Sequence, residues 1–216
     1  MKVINLGEEN SIFNQYISEI RNIDVQNDSM RFRRNCERLG EIFAYEISKT
    51  FSYSKKNITT PLGIAPINLM DEQPVLATVL RAGLPFLQGF LNYYDKAENA
   101  FISASRIHNS DGTFTIESEY IASPIIENRT LILADPMLAT GLSMVAAYQG
   151  MLTKGTPSEI HVVVLIASQQ GIDFVKSNFP DNTTIWAGAI DKDLSDKSYI
   201  VPGLGDAGDL AYGVKH

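Results

Sequence analysis

Four short segments, residues 74–80, 131–134, 160–166 and 184–187, are strand-sized and almost wholly apolar. They do not alternate apolar with polar residues, so each is expected to be buried on both faces. Between them lie stretches with helical spacing, at 83–94, 143–153 and 170–178. Buried strands alternating with helices predict a parallel sheet flanked by helices, an α/β fold. Residues 11–23 and 29–50 also read as helices. Ile12, Phe13, Tyr16, Ile17 and Ile20 share one face of the first, and Phe32, Cys36, Leu39, Phe43 and Ile47 recur at three and four in the second. This N-terminal part, residues 1–55, is expected to form a helical arm. Residues 99–107 and 113–121 alternate as strands about Asn109, Ser110, Asp111 and Gly112, which predicts a β-hairpin arm. The glycine-rich stretch 198–216 is expected to form an irregular C-terminal hood on a single domain, residues 1–216.

Charge and cysteine content narrow the function. The net charge is −7 and the pI is near 5.0. A protein that lives on duplex nucleic acid carries a basic face. Only the cluster Arg31, Arg33 and Arg34 stands against the acidic balance, so no nucleic-acid partner is expected. No apolar run approaches the roughly 20 residues of a membrane span, and residues 1–9 carry Glu8 and Glu9 in place of a signal peptide. Cys36 is the only cysteine, which excludes an intrachain disulfide and a cysteine zinc site. A reducing, cytoplasmic setting is the expectation.

The most informative segment runs from Leu131 to Met144. An apolar strand ends in an acid, Asp135, and Pro136, Met137, Leu138 and Ala139 follow. Thr140, Gly141, Leu142 and Ser143 then lead into a helix. In a parallel sheet this loop lies at the carboxyl end of a strand, where α/β proteins bind ligands. Free amides at a helix start attract anions. Gly141 lets the backbone approach a phosphate, Thr140 and Ser143 add hydroxyl donors, and Asp135 is placed to hold sugar hydroxyls. The same pattern also fits an ordinary capped helix after a strand, and these residues alone leave both readings open. No Gly-Lys-Ser/Thr occurs, so this is not a Walker loop.

A second glycine pattern misleads. Gly203, Gly205 and Gly208 match a dinucleotide fingerprint, but only eight residues follow Gly208. No helix and second strand can complete the unit. The loop instead exposes amides and carbonyls suited to reading a small planar heterocycle, or it forms a tight turn.

Three stretches together resemble the uracil phosphoribosyltransferase family. They are Leu80-Arg81-Ala82-Gly83-Leu84, Asp135-Pro136-Met137-Leu138-Ala139-Thr140-Gly141, and Tyr199-Ile200-Val201-Pro202-Gly203-Leu204-Gly205-Asp206-Ala207-Gly208-Asp209. The resemblance covers residues 23–213, and the third motif is peculiar to that family among phosphoribosyltransferases. It implies a type I phosphoribosyltransferase-like fold. It also implies transfer of ribose 5-phosphate from phosphoribosyl diphosphate (PRPP) to uracil, giving UMP and diphosphate, with Mg2+ bound through PRPP. By resemblance, Arg81, Arg106, Asp135 to Ser143 and Asp206 hold PRPP, with Asp135, Arg81 and Arg106 central to catalysis. Ile200, Gly205, Asp206 and Ala207 read uracil. The family also implies a homodimer or homotetramer and a GTP effector.

This sequence departs from the family pattern in three places. Leu142 stands where a second glycine is usual, Leu210 where Lys or Arg is usual, and the acidic pair common after the hairpin arginine is missing. Rival readings are a phosphoribosyltransferase for another base, and a regulatory protein of the same fold that senses nucleotides and binds RNA. His161, Trp186 and Cys36 read as packing residues, and His108 as a hairpin residue.

Overall fold

In a computed structural model, which describes residues 1–108 and 114–215 and, within 104–119, the backbone alone, the chain forms twelve strands and six α-helices. In chain order these are β1 (Lys2–Asn5), α1 (Ile12–Arg21), α2 (Ser29–Ser48), β2 (Tyr53–Thr60), β3 (Gly63–Met70) and β4 (Val75–Leu80). Next come α3 (Leu84–Leu91), β5 (Glu98–His108), β6 (Phe114–Ala122), β7 (Thr130–Ala134), β8 (Met137–Leu138) and α4 (Leu142–Met151). The remainder are β9 (Glu159–Ser168), α5 (Gln169–Asn178), β10 (Thr183–Asp191), β11 (Asp193–Leu194), β12 (Ile200–Val201) and α6 (Ala207–Tyr212).

The main sheet has the order β1-β10-β9-β7-β4-β5-β6, with β8 also paired to β9. Every pairing in it is parallel except β5 with β6. The apolar runs supply its central strands, buried on both faces as expected. On β7, Ile132 and Ala134 face one apolar layer while Leu131 and Leu133 face the other. The first layer is closed by α1, α2 and α3 through Phe13, Phe43, Phe86 and Phe90, whose rings meet edge to face at 5.2–5.7 Å. The second is closed by α4 and α5, where Tyr148 stacks on Phe179 at 4.2 Å. Burial of this kind, at about 25 cal/mol per Å2, is the main term favouring the fold.

Three features were not expected from the sequence. Strand β1 extends the sheet beyond β10. The helices of residues 1–55, expected as an arm, lie packed on the sheet. A separate two-stranded ribbon, β2–β3, carries exposed Ile58, Leu62, Ile64, Ile67 and Leu69. The expected hairpin is β5–β6. Its tip, residues 109–113, and the side chains of Arg106 and His108 lie outside the described residues. His161 and Trp186 are buried and bonded to each other, the indole Nε1 donating to Nδ1 at 3.1 Å. Among the described residues no helix is long and apolar enough to cross a membrane.

Helices α2 and α3 approach closely because Gly40 and Gly89 face each other. A Cβ on Gly89 would overlap the Glu37 carbonyl and the Gly40 Cα, and one on Gly40 would overlap the Phe86 carbonyl. Overpacking of this kind costs about 1–3 kcal/mol. Gly89→Ala is therefore expected to lower the urea-unfolding free energy by that amount. An unchanged midpoint would show that the helices separate freely.

Candidate active site

A cavity of about 730 Å3 opens at the carboxyl ends of β4 and β7. These strands are neighbours in the sheet. From β4 the chain crosses to β5 on one side, and from β7 it crosses to β9 on the other. The loops therefore diverge, leaving a crevice at the point where strand order reverses, the general ligand position in open α/β sheets. Stretches far apart in sequence wall it: residues 80–82, residues 135–144 and residues 197–208, with Ser103 of β5 and Lys215.

The 135–143 loop is pinned from behind. The Asp135 amide donates to the Val163 carbonyl at 3.0 Å, and the Pro136 carbonyl accepts from the amides of Leu165 and Ile166 at 3.1 and 3.0 Å. Strand β8 then resumes pairing with β9. Asp135, Met137, Leu138, Ala139, Thr140, Gly141 and Ser143 line the cavity. Pro136 and Leu142 do not: Pro136 is spent on β9, and Leu142 is the first residue of α4. Gly141 has φ +83°, and an added Cβ would lie 3.1 Å from the Gly171 carbonyl oxygen, so a side chain there is strained and crowded.

Helices α1, α2, α5 and α6 each carry a side-chain cap, from Ser11, Asp28, Ser168 and Asp206. Helices α3 and α4 carry none, and both begin beside the cavity. Apart from a long 3.4 Å contact in which the Leu142 amide donates to Thr140 Oγ1, their first amides have no side-chain partner among the described residues and act with the helix dipole to favour an anion.

Arg81 follows β4 directly. Its Nη2 donates to the Gly213 carbonyl at 3.3 Å and lies 3.6 Å from Asp209 Oδ1, while its Nε is buried with no partner. These loose contacts leave the guanidinium able to turn to a stronger anion.

The opposite wall is the stretch expected as a hood. It is more regular than expected: β11 and β12 pair antiparallel, and α6 follows the glycine loop. The loop is tied to the sheet by Asp191, which accepts from the Gly203 amide at 2.9 Å and from Arg21 at 2.7 and 2.8 Å. Ile200, Gly205, Asp206 and Ala207 line the cavity. One Asp206 oxygen caps α6 by accepting from the Asp209 amide at 2.9 Å. Leu210 packs against the core. Lys197, Ser198, Tyr199, Ser103 and Lys215 also line the cavity. Sequence reasoning gave none of them a role, although Tyr199 lay inside a quoted motif.

Among the described residues, Asp135 and Asp206 are the carboxylates lining the cavity, and no group of three or more His, Cys, Asp or Glu gathers to hold a metal ion. Mg2+ is commonly bound through one or two carboxylates together with substrate phosphates. The donor set fits an ion that arrives on a phosphate ligand.

A family model described as uracil phosphoribosyltransferase matches residues 8–214. A uracil phosphoribosyltransferase from Porphyromonas gingivalis is 56% identical over 215 residues, covering all of both chains. One from Methanococcus vannielii is 38% identical, covering 95% of this chain and 88% of its own. The solved structure of the AQ2163 protein from Aquifex aeolicus superposes with a TM-score of 0.86 at 28% identity, covering 98% of each chain. A hypoxanthine phosphoribosyltransferase from Staphylococcus aureus, at TM-score 0.50 and 14% identity over 75% of this chain and 76% of its own, shares the fold alone.

The cavity floor holds a perturbed acid. Part of Asp135 faces the cavity, yet it is walled by protein, and burial pushes its carboxyl up to about 7 against a weaker opposing pull from the Met137 amide. The folded state therefore holds this proton to higher pH than the unfolded chain. The resulting destabilisation is absent below about pH 4, grows as pH rises to 7 and is complete above it. Asp135→Asn cannot ionise. Its melting temperature relative to wild type is expected to climb between pH 4 and pH 7 and then level off. A difference that stays constant across that range would contradict the assignment.

Proposed function

This chain belongs to the uracil phosphoribosyltransferase family, and on that premise we propose that it transfers ribose 5-phosphate from PRPP to uracil, giving UMP and diphosphate in pyrimidine salvage. The observation that carries the reading is one cavity in which an uncapped helix start, a free-handed arginine and a backbone-lined loop meet. The 5-phosphate sits on the amides of residues 139–143, with Thr140 and Ser143 adding hydroxyl donors. Asp135 accepts from the ribose hydroxyls. Its raised proton affinity is lost when those hydroxyls and the cation-bearing donor replace its desolvated surroundings.

Bond breaking at the sugar leaves a cationic ring and a strongly anionic leaving group. Mg2+ carried on the donor neutralises part of that charge. Arg81 leaves Gly213 and Asp209 for the diphosphate, and Arg106 is the second arginine that the family resemblance assigns to it. Groups aimed at developing charge are the largest contributors to catalysis, and removing one costs about 3 kcal/mol, or about a hundredfold in rate. Uracil lies against Ile200 and the backbone of 205–207. Gly205 has φ +94°, and an added Cβ there would meet nothing, so its left-handed turn leaves the peptide open to the base. Backbone donors and acceptors match the alternating pattern of uracil and mismatch cytosine.

The ribbon β2–β3 supports assembly as a homodimer or larger. An isolated two-stranded ribbon is barely stable in water, and this one exposes Leu62 fully and Ile64 by 65%. Apolar exposure of that extent marks a contact surface, and the occupant proposed is a second copy of this chain.

UMP formation from PRPP and Mg2+ with uracil, cytosine, orotate or hypoxanthine tests the activity. Turnover is expected with uracil alone, and turnover with another base instead would overturn the assignment of the 200–207 loop. A parallel set with GTP tests the effector expected from the family. Arg81→Ala is expected to lower kcat/KM about a hundredfold with an unchanged melting temperature, and wild-type turnover in that variant would remove Arg81 from the mechanism. Leu62→Asp with Ile64→Asp is expected to yield monomers by light scattering, whereas an unaltered mass would acquit the ribbon.

A further inference from the structure

Two lysines from separate segments border the cavity, and neither forms an ion pair or side-chain hydrogen bond among the described residues. Lys197 sits in the turn between β11 and β12, and Lys215 follows α6. In an acidic chain of net charge −7, two unpaired cations converging on one cavity are a specific placement.

The turn that carries Lys197 is tightly built. The Ser195 amide donates to the Tyr199 carbonyl at 2.8 Å, the Ser198 amide to the Ser195 carbonyl at 2.8 Å, and the Tyr199 amide to Ser195 Oγ at 3.1 Å. Ser198 is held at φ +62°, an uncommon conformation for a residue with a side chain. Strain of this kind persists where surrounding structure fixes it, often at ligand-contacting turns. The segment bearing Lys215 is anchored two residues earlier, where the Gly213 carbonyl accepts from Arg81. Lys215 thus lies on the Arg81 side of the cavity.

We propose that Lys197 and Lys215 are further donor-binding residues, two cations at the ends of the 197–215 stretch that face the diphosphate together with Arg81 while the 135–143 loop holds the 5-phosphate. The assignment rests on the proposed reading of the cavity as a phosphoribosyl diphosphate site. Charge carries the argument. Among the described lining residues Arg81, Lys197 and Lys215 stand against Asp135 and Asp206, so without the lysines Arg81 would be one cation against two acids, and the pair adds to the charge that Mg2+ and Arg106 bring to the diphosphate. Lysine suits this position because its ammonium is a mobile point charge that follows a phosphate group from its binding through its departure.

Calorimetric titration with inorganic diphosphate and Mg2+ tests the pair without requiring turnover. Lys197→Met and Lys215→Met are each expected to weaken diphosphate binding about five- to tenfold, with the melting temperature unchanged. The double variant should lose more and show a shallower salt dependence. Lys192→Met, an exposed lysine of the same segment outside the cavity lining, controls for overall charge and should bind as wild type does. In turnover, the donor KM should rise while the uracil KM holds. Equal diphosphate affinity in wild type and both variants overturns the proposal, as does a wild type that binds no diphosphate. Lysine-dependent binding without UMP formation would keep the proposal and refute the uracil reading.

Discussion

Strand β9 pairs along one edge with two separate pieces of chain, β7 over Glu159–Val163 and β8 over Ile166–Ala167. Between them the chain leaves the ladder at Asp135 and Pro136 and then returns. The departure is not slack, because the Asp135 amide and the Pro136 carbonyl still bond to β9. A fully buried strand with no polar side chain between Val162 and Ala167 cannot shift register without exposing its ladder, so the loop inherits the rigidity of the core. Buried backbone groups must be paired, and here that requirement fixes the position of the Asp135 carboxylate in the cavity wall. The raised proton affinity of Asp135 follows from the same arrangement. It is held where the fold puts it rather than where solvation favours it.

The second wall depends on a different kind of tie. Asp191 ends β10, grips Arg21 of α1 with both oxygens and accepts from the Gly203 amide. One carboxylate thus links a covering helix, the sheet and the glycine loop. The half-buried pair is worth little as a net stability term. Its effect is positional, since it sets the loop's height above the cavity. Arg81 then reaches across from the β4 loop to Asp209 and Gly213. The β4 loop and the C-terminal wall of the cavity are therefore already in contact, through bonds weak enough to be exchanged.

The central strands were legible in the sequence because burial on both faces writes itself as a continuous apolar run. The loop from Asp135 to Ser143 was legible because its glycine and hydroxyls follow such a run directly. Ribbon β2–β3 left no comparable signal. It faces no core, its apolar residues stand among Lys55, Lys56 and Asn57, and Pro66 argues against a strand. Strand β1 is four residues at an edge, Lys2 exposed and the other three half-buried, too short for a period to show. Helix α6 hid in a glycine motif, since its six residues are fixed by the Asp206 cap rather than by helical propensity. The placement of Lys197 depends on a left-handed serine, which is a property of the folded turn and not of its composition. Leu142 departs from the glycine usual in the family, a departure that a helix starting there would accommodate. It is the opening residue of α4, where helical backbone requires no glycine.

In the proposed function one ligand spans both walls, its phosphate on the 139–143 amides and its base on the 200–207 loop. Amide hydrogen exchange with and without UMP reads both segments at once. UMP is expected to slow exchange in the two segments together, at the same ligand concentration, while ribose 5-phosphate slows only the first. Protection by UMP confined to one segment, with the other exchanging as in the free protein, would contradict it.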